Sequence, residues 1–329
     1  MIANLHQEGY PLTALCQTLQ VSRSGYYAFE QGCLSSRAQE DQRLQPQIRA
    51  IFWEHKRRYG ARRIAYELSS RGVCCGTRRV GRLMWEMGLK AIQPKSFRPR
   101  TTDSRHRLGY SQNLLLEAPL PTGVNQIWVG DITYVPLKER DFLYLAMLMD
   151  LYSRRIVGWE LRSYLKEPLV LAALRSAIRL RGPATNLIHH TDRGGQYAGN
   201  QYRGVLQRAR MRQSMSRADN CYDNAFMESC FGTVKTELEM EYYENERDAR
   251  EEIGGYLRYY NTRRRHSALG YLTPEEFEDA EFEDARCFAV GTSQCDPGRQ
   301  KSTANRAQQN GRIKRYPPRG GATASSPDL

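Results

Sequence analysis

Two acidic residues interrupt segments whose composition is typical of buried β-strands. Asp131 lies within the run QIWVGDITYV at residues 126–135, which is rich in β-branched and aromatic side chains. Asp192 directly follows a second strand-like segment at residues 186–190 and precedes a glycine pair at residues 194–195. A buried carboxylate without a partner is costly, so we expect Asp131 to have a partner such as a metal ion.

A third carboxylate lies on a predicted helix over residues 223–238. Glu228 lies off the apolar stripe of this helix and shares a second stripe, at helical spacing, with Asn224, Gly232 and Lys235. This stripe combines an amide, a carboxylate, a position without a side chain and a cation, which suits metal binding and phosphate contact along one line. Taken alone, the three carboxylates are a weak signal, because 36 acidic residues permit many chance triplets.

The elements that must position these residues follow an α/β order. The pattern predicts strands at residues 126–135, 142–149 and 155–161, a helix at 168–181, a strand at 186–190, a helix at 201–209 and a short strand at 211–215. Short connections favour an antiparallel meander for the first three strands. In many mixed sheets this order places the first and fourth strands side by side, which would put Asp131 and Asp192 on neighbouring strands.

The N-terminal third is a candidate nucleic-acid-binding region. Residues 1–100 carry a net charge of +10, residues 101–285 one of −3 and residues 286–329 one of +6, and basic ends suit a polyanionic partner. A predicted helix from residue 77 to 87 follows a glycine-containing turn and presents Arg78, Arg79 and Arg82 near its start. This is typical of a helix-turn-helix that contacts DNA in the major groove, although a helical bundle with a solvated basic face fits the same pattern.

Composition divides the chain into five predicted segments. They are an N-terminal helical segment (1–43), a helix-turn-helix-like domain (44–90), a basic linker (91–121), an α/β domain (122–285) and a disordered basic tail (286–329). No apolar run approaches the roughly 20 residues of a membrane span. The eight cysteines are scattered without a CxxC pair, which argues against a zinc ribbon or a disulfide framework and favours a reducing cytoplasm.

Two charged runs have open interpretations. The basic run at residues 263–266 could be solvated, contact DNA or contact the core of the α/β domain. The acidic run at residues 275–284 is expected at the surface, or as the cap of a helix that follows residues 273–274.

Four motifs surround the three carboxylates. They are WVGDIT at 128–133, HTDRGGQY at 190–197, NCYDNAFME at 220–228 and YNTRRRHSALGYLTP at 260–274. With them, the chain resembles the DDE transposases of the insertion sequence three family, OrfB type, within the retroviral integrase superfamily. The 35 residues between Asp192 and Glu228 match the spacing for which that family is noted, and Lys235 matches its basic position. The resemblance covers about residues 10–280; Asp219 departs from it, because glycine is common there.

The resemblance implies an RNase H-like fold, with a mixed five-stranded sheet and flanking helices. In it Asp131, Asp192 and Glu228 are catalytic and hold two divalent ions, Mg²⁺ or Mn²⁺. Carboxylate oxygens suit such hard cations, and a pair of ions about 3.5–4 Å apart would stabilise the attacking and leaving oxygens at a phosphodiester. The implied reactions are hydrolysis at the ends of a DNA element and attack of the freed 3′-OH on other DNA. His190 shares a strand face with Asp192 and is expected either to support the site from behind or to be a core histidine.

The implied partners are DNA, as terminal inverted repeats and as target, and further copies of the chain, since joining two ends requires at least a dimer. The expected DNA contacts are Arg78, Arg79, Arg82, Asn224 and Lys235. An upstream-frame OrfA product, as partner or as fusion, is also expected, and the expected location is the bacterial cytoplasm at the nucleoid, without a membrane. Two alternatives stay open: a catalytically inactive DNA-binding remnant or regulator of transposition, and an RNase H-type nuclease for RNA–DNA hybrids.

Overall fold

The computed structural model of the chain describes residues 1–32, 34–93, 110–116, 118–138, 142–217, 225–240 and 242–290, with side chains up to residue 283. These residues fall into two units, Met1–Ile92 and Gln93–Leu329, and each is considered by itself. Within the described ranges, none of the helices has both the length and the apolar character needed to cross a membrane.

The first unit is helical, as the sequence predicts. Its helices are α1 (Ile2–Gln7), α2 (Leu12–Thr18), α3 (Arg23–Glu30), α4 (Ser36–Glu54), α5 (Ala61–Ser70) and α6 (Thr77–Glu86). Ser35 caps α4 by accepting a hydrogen bond from the backbone N–H of Ala38. The boundary predicted between residues 43 and 44 falls inside α4. The reason is that the first two turns of α4 are polar, and the buried stripe that gives the periodic signal begins only at Leu44.

A helical pair forms the end of this unit. A turn containing Gly72, whose φ is +81°, connects α5 to α6. Val80, Leu83 and Met84 of α6 are buried in a core with residues of α4 and α5. These three side chains form the buried stripe of α6, and its basic residues lie outside that stripe.

A mixed five-stranded sheet forms the centre of the second unit. Its strands are β1 (Ile127–Pro136), β2 (Phe142–Asp150), β3 (Ile156–Arg162), β4 (Ile188–Thr191) and β5 (Arg212–Met215), in the order β3-β2-β1-β4-β5. β1, β2 and β3 form an antiparallel meander, whereas β4 pairs in parallel with β1 and with β5. The predicted meander and the predicted contact between the first and fourth strands are both confirmed.

Helices cover both faces of the sheet. They are α7 (Glu167–Arg181), α8 (Gly195–Ala198), α9 (Asn200–Arg208), α10 (Ala225–Glu237), α11 (Glu246–Thr262) and α12 (Pro274–Val290). Side chains alternate along β1, so that Val129 and Val135 contribute to a core with α10 and α11, whereas Trp128 contributes to a core with α7, α8 and α9. α7 approaches β3 very closely, because a Cβ atom at Gly158 would lie 2.5 Å from the carbonyl oxygen of Ala173. This is the RNase H-like arrangement expected from the sequence.

Part of the predicted linker lies along the edge of the sheet. Residues 110–116, which we refer to as the strap, run beside β5. Gln112 accepts a hydrogen bond from the backbone N–H of Met215 at 3.4 Å, and the N–H of Leu114 donates to Ser214 Oγ at 2.9 Å. These contacts belong to the second unit and lie before residue 122, the predicted start of the α/β domain, whereas residues 94–109 of the predicted linker lie outside the described residues.

A buried ion-pair network connects α12 to the sheet. Glu278 accepts hydrogen bonds from Arg155 at 2.8 Å and from both terminal nitrogens of Arg181 at 2.8 and 2.9 Å. At the start of α12, Thr273 and Glu276 exchange hydrogen bonds in a capping box. The acidic run therefore caps its helix as one interpretation expected, but Glu278 is buried rather than at the surface. The predicted boundary between residues 285 and 286 falls inside α12.

Acidification is expected to weaken this network. Burial raises the pKa of Glu278, but hydrogen bonds from Arg181 and Ser153 and the nearby arginine charges outweigh it and bring the pKa below the ordinary 4.5. A carboxyl whose pKa is lower in the folded than in the unfolded protein stabilises the fold fully at a pH above its pKa in the unfolded protein. This stabilisation is lost as the pH falls through its pKa in the folded protein. We expect Glu278→Gln to lower the free energy of unfolding at pH 7 by about 3 kcal/mol and to flatten its decline below pH 4.5. Urea unfolding across this pH range tests both; an unchanged acid slope would contradict the assignment.

Candidate active site

β1 and β4 bring two of the predicted carboxylates together. In their parallel pairing Val129 lies opposite His190, so Asp131 and Asp192, each two residues further along, lie at the same level and on the same face of the sheet. Burial, and then the carboxylates of Asp131 and Asp192, raise the pKa of the Tyr197 phenol. Both carboxylates therefore act on the same ring, in agreement with their neighbouring positions on β1 and after β4, and we refer to Asp131 and Asp192 as the aspartate pair.

Local hydrogen bonds orient both members of the pair. Asp131 Oδ1 accepts a hydrogen bond from the N–H of Ile132 at 2.7 Å, and Asp192 Oδ1 accepts one from the N–H of Gly194 at 3.0 Å. A Cβ atom at Gly194 would lie 3.0 Å from that Asp192 oxygen. The glycine after β4 therefore allows the turn to fold back onto the carboxylate.

α10 carries the other predicted site residues on the same side of the sheet. Burial lowers the pKa of Lys235 and the Asp131 carboxylate opposes this shift, so the ammonium lies near Asp131. Glu228 is exposed and lies seven residues before Lys235, two turns or about 10 Å along the same stripe. Among the described side chains, no group of three or more His, Cys, Asp and Glu could hold a metal ion. The structure thus pairs two of the three acids and leaves Glu228 outside the pair, while Asn224 lies outside the described residues.

The basic residues of α6 are partly engaged within the first unit. Arg79 and Arg82 both form ion pairs with Asp41 of α4, at 2.7 and 2.5 Å. Hydrogen bonds from Arg82 and Arg79 lower the pKa of Asp41. These two arginines therefore fasten α6 to α4, a role that helical periodicity could not indicate, whereas Arg78 is exposed.

Comparison with known proteins gives the family. Residues 121–221 and 209–274 match two families described as integrase core domain, and residues 39–97 match an HTH-like domain. The chain is 42% identical over 267 residues to the insertion element IS600 uncharacterized 31 kDa protein of Shigella sonnei, covering 80% of this chain and 97% of that protein. It is 38% identical over 278 residues to the transposase InsF for insertion sequence IS3A of Escherichia coli (strain K12), covering 83% and 96%. The chain belongs to the IS3 family of transposases.

Another transposase and a solved structure are also similar to this chain. The transposase for insertion sequence element IS904 of Lactococcus lactis is 40% identical over 237 residues, covering 71% of this chain and 93% of that protein. Among solved structures, the HTLV-2 integrase catalytic core domain in complex with magnesium is similar at a TM-score of 0.38 and 17% identity, covering 48% of this chain and 98% of that chain.

The aspartate pair of this transposase fits a divalent metal ion. Its donors are carboxylate oxygens, which hard cations such as Mg²⁺ and Mn²⁺ prefer over softer ligands. Two carboxylates on adjacent strands also repel each other unless positive charge lies between or beside them. Lys235 supplies one such charge near Asp131, and a divalent cation would supply the rest.

Two histidines of the transposase lie buried on β4, behind the pair. His190 shares a sheet face with Asp192, and its Nδ1 lies 2.8 Å from Ser214 Oγ, the oxygen that also accepts the hydrogen bond from Leu114 of the strap. His189 lies on the opposite face with its Nε2 2.7 Å from the Tyr202 hydroxyl, and burial lowers its pKa to about 3. His189 is thus a neutral core residue, and His190 connects β4 to β5 and the strap.

Arg193, which the sequence patterns did not single out, orders the Asp192 turn. Arg193 Nε donates to the Ser216 carbonyl at 2.7 Å, and the guanidinium lies over the ring of Tyr110 in the strap, 4.6 Å from its centroid. Arg193 thereby connects the turn that contains Asp192 to the end of β5. Its place directly after Asp192 was the available signal, whereas Tyr110 lay within the predicted linker and gave none.

Proposed function

We propose that this transposase cuts DNA at the ends of its insertion element and joins the freed 3′-OH to other DNA, with Asp131, Asp192 and Glu228 as catalytic acids. The observation that carries the proposal is the pairing of Asp131 and Asp192 on adjacent parallel strands beside Lys235. Like charges brought this close suit a cation site and serve no purpose in a simple DNA-binding scaffold. Membership of a transposase family supplies the reaction class.

The side chains have distinct roles in this proposal. The three acids together would hold two Mg²⁺ or Mn²⁺ ions, which when bound would stabilise the attacking and leaving oxygens at phosphorus. The N–H groups of Ile132 and Gly194 hold Asp131 and Asp192 in orientation. The ammonium of Lys235 would contact a phosphate group. A nucleophilic side chain is not needed, because the attacking oxygen comes first from water and then from the 3′-OH of DNA.

The partners follow from the same reaction. The chain would bind DNA both as element ends and as target. Arg78 and Asn224 would make further contacts with this DNA, and Arg79 and Arg82 would contribute through the exposed parts of their guanidinium groups. Two ends must meet, so at least two copies of the chain would act together. An OrfA-type product of an upstream reading frame, separate or fused, would complete the assembly at the bacterial nucleoid.

A strand-transfer assay on Glu228→Gln tests this function. We expect the parent chain with Mg²⁺ to convert a labelled element-end duplex into joined product. Glu228→Gln should lower that yield by more than about 100-fold, since losing a metal ligand should exceed the 10–100-fold typical of losing a residue that only supports one. Glu251→Gln, a change at an exposed glutamate of α11, is the matched control and should retain activity.

The products separate the alternatives. Cleavage without joining by the parent chain would identify a nuclease of the RNase H type. DNA binding with neither product would identify a catalytically inactive remnant or regulator. Full activity in Glu228→Gln would remove this residue from the catalytic set and leave the aspartate pair alone.

A further inference from the structure

The β1–β2–β3 meander ends in an aromatic surface that the proposed chemistry does not use. Tyr134 of β1 pairs across the sheet with Tyr144 of β2, which pairs in turn with Arg162 of β3. Cross-strand partners point to the same face, so these side chains form one row across three strands. The Phe142 ring meets the Tyr134 ring edge-on, with centroids 5.9 Å apart, and the Tyr134 and Tyr144 rings are 5.3 Å apart. We refer to Tyr134, Phe142, Tyr144 and Arg162 as the aromatic row.

The aromatic row is open to solvent although it is built on rigid structure. Tyr134 is 50% exposed and Phe142 45%, and the Arg162 side chain is 42% exposed. On the same face, the neighbouring cross-strand pair of Ile132 and Ala146 joins the core formed with α7. The rings therefore project from regular, well-packed strands and keep a fixed spacing without being covered.

The chemistry of the row suits the bases of a nucleic acid. Exposed aromatic rings on a sheet, with an arginine beside them, stack with nucleobases and tolerate different sequences. Arg162, the cross-strand partner of Tyr144, supplies a cation beside the rings, and its side chain is accessible. The carboxylate of Glu160 lies 3.5 Å from Arg162 and is engaged more closely by Arg250, at 2.7 Å, so Arg162 shares this carboxylate and keeps an exposed part of its guanidinium beside the rings. Exposed rings beside an arginine complement a nucleic-acid strand whose bases point toward the protein and whose phosphates lie near the arginine. They complement an apolar protein surface less well.

We propose that the aromatic row binds unpaired bases of a DNA strand by stacking on Tyr134 and Phe142, with Arg162 contacting the backbone. The inference rests on the proposed function, because cutting and joining expose bases near Asp131. Tyr134 lies three residues beyond Asp131 on the same strand, about 10 Å along it, and its side chain points to the opposite face of the sheet. A DNA strand leaving the aspartate pair would therefore pass around the end of the β1–β2 hairpin to reach the row. Bases in an intact duplex have their faces covered by neighbouring bases, so the row should distinguish single strands from duplexes.

A binding measurement on the full chain tests the aromatic row without any catalysis. The probe is an oligothymidylate with one 2-aminopurine, whose fluorescence falls on stacking, in buffer without divalent metal. We expect Tyr134→Ala to weaken binding of this probe by at least about fivefold, the lower limit for loss of one stacked base. Tyr134→Phe should bind like the parent, and affinity for duplex DNA should be unchanged in both. Phe282→Ala removes an aromatic side chain of similar exposure, 53%, on α12 and should have no effect.

Several results would overturn this inference. One is a Tyr134→Ala variant whose affinity for the single strand stays within about twofold of the parent, because loss of one stacked base should cost more than that. Another is a Phe282→Ala variant that loses as much affinity as Tyr134→Ala. A changed oligomeric state of Tyr134→Ala, measured by light scattering, would assign the row to a protein contact instead. The strand-transfer assay on Glu228→Gln does not depend on this surface, and the binding assay does not depend on cleavage. The two proposals can therefore fail separately.

Discussion

Asp131→Asn is expected to abolish DNA cleavage and joining while leaving the chain folded. Asparagine keeps the shape of the side chain, and its Oδ1 can still accept the hydrogen bond from Ile132, but it removes one of the two charges that face each other across β1 and β4. We expect the rate of strand transfer to fall by at least about 10³-fold. Loss of a residue that only supports a metal ligand costs about 10–100-fold, and this change removes a proposed metal ligand itself. Asp279→Asn changes an exposed acid of α12 and should remain active.

Thermal melting with and without Mg²⁺ gives a second readout for the same variant. Without metal the paired carboxylates repel each other, so Asp131→Asn should melt at the parent temperature or slightly above it. Mg²⁺ binds the folded parent and should raise its Tm through mass action, and this shift should be absent in the variant. An inactive Asp131→Asn that still gained the parental Tm shift with Mg²⁺ would separate Asp131 from metal binding.

The aspartate pair could be predicted because it depends on short-range patterns. Alternation along β1 indicates which side chains share a face, and the order of strands and helices predicts that β4 lies beside β1. Two such rules are enough to bring Asp131 and Asp192 together. Glu228 is different, because its distance from the pair depends on how α10 is tilted on the sheet and on the connection at residues 218–224. Helical periodicity places Glu228 on a stripe with Lys235 but cannot supply that tilt.

Long-range charge pairs also leave no signal in local sequence patterns. The sequence indicates that Arg79 and Arg82 lie near the start of α6, but nothing local shows that Asp41 of α4 lies beside them. The strap escaped prediction for a similar reason. Its contacts with β5 use backbone groups and small polar side chains such as Ser111, which leave no hydrophobic period in the sequence, so a basic and proline-containing stretch was interpreted wholly as linker.

One such charge pair fixes the end of the helix that carries Glu228. Arg264 lies in the basic run whose role the sequence left open, and it is buried. Its Nε and Nη2 donate to the carboxylate of Glu237, the last residue of α10, at distances of 2.6 to 3.0 Å. The Tyr256 hydroxyl donates to the same carboxylate at 3.0 Å. Through Arg264, the motif at residues 260–274 therefore contacts the core of the second unit and positions α10.

Glu237→Ala is expected to lower the free energy of unfolding more than any other single substitution proposed for this chain. This change leaves the buried guanidinium of Arg264 without its counter-charge. Breaking a buried ion pair in this way typically costs 3–5 kcal/mol, and we expect the free energy of unfolding to fall by about that amount. The exposed pair of Lys138 and Glu244 is the matched control, and Glu244→Ala should cost less than about 1 kcal/mol. Urea unfolding measures both variants.

The double variant Glu237→Leu/Arg264→Leu keeps the prediction testable if Glu237→Ala does not fold. It removes both charges and should recover much of the stability, because an apolar pair of similar volume can replace a buried ion pair at little cost. Equal destabilisation by the double and single variants would show that packing, and not the uncompensated charge, dominates here. Since α10 also carries Glu228 and Lys235, a folded double variant that regains stability but not strand transfer would show that the ion pair sets the helix position that catalysis requires.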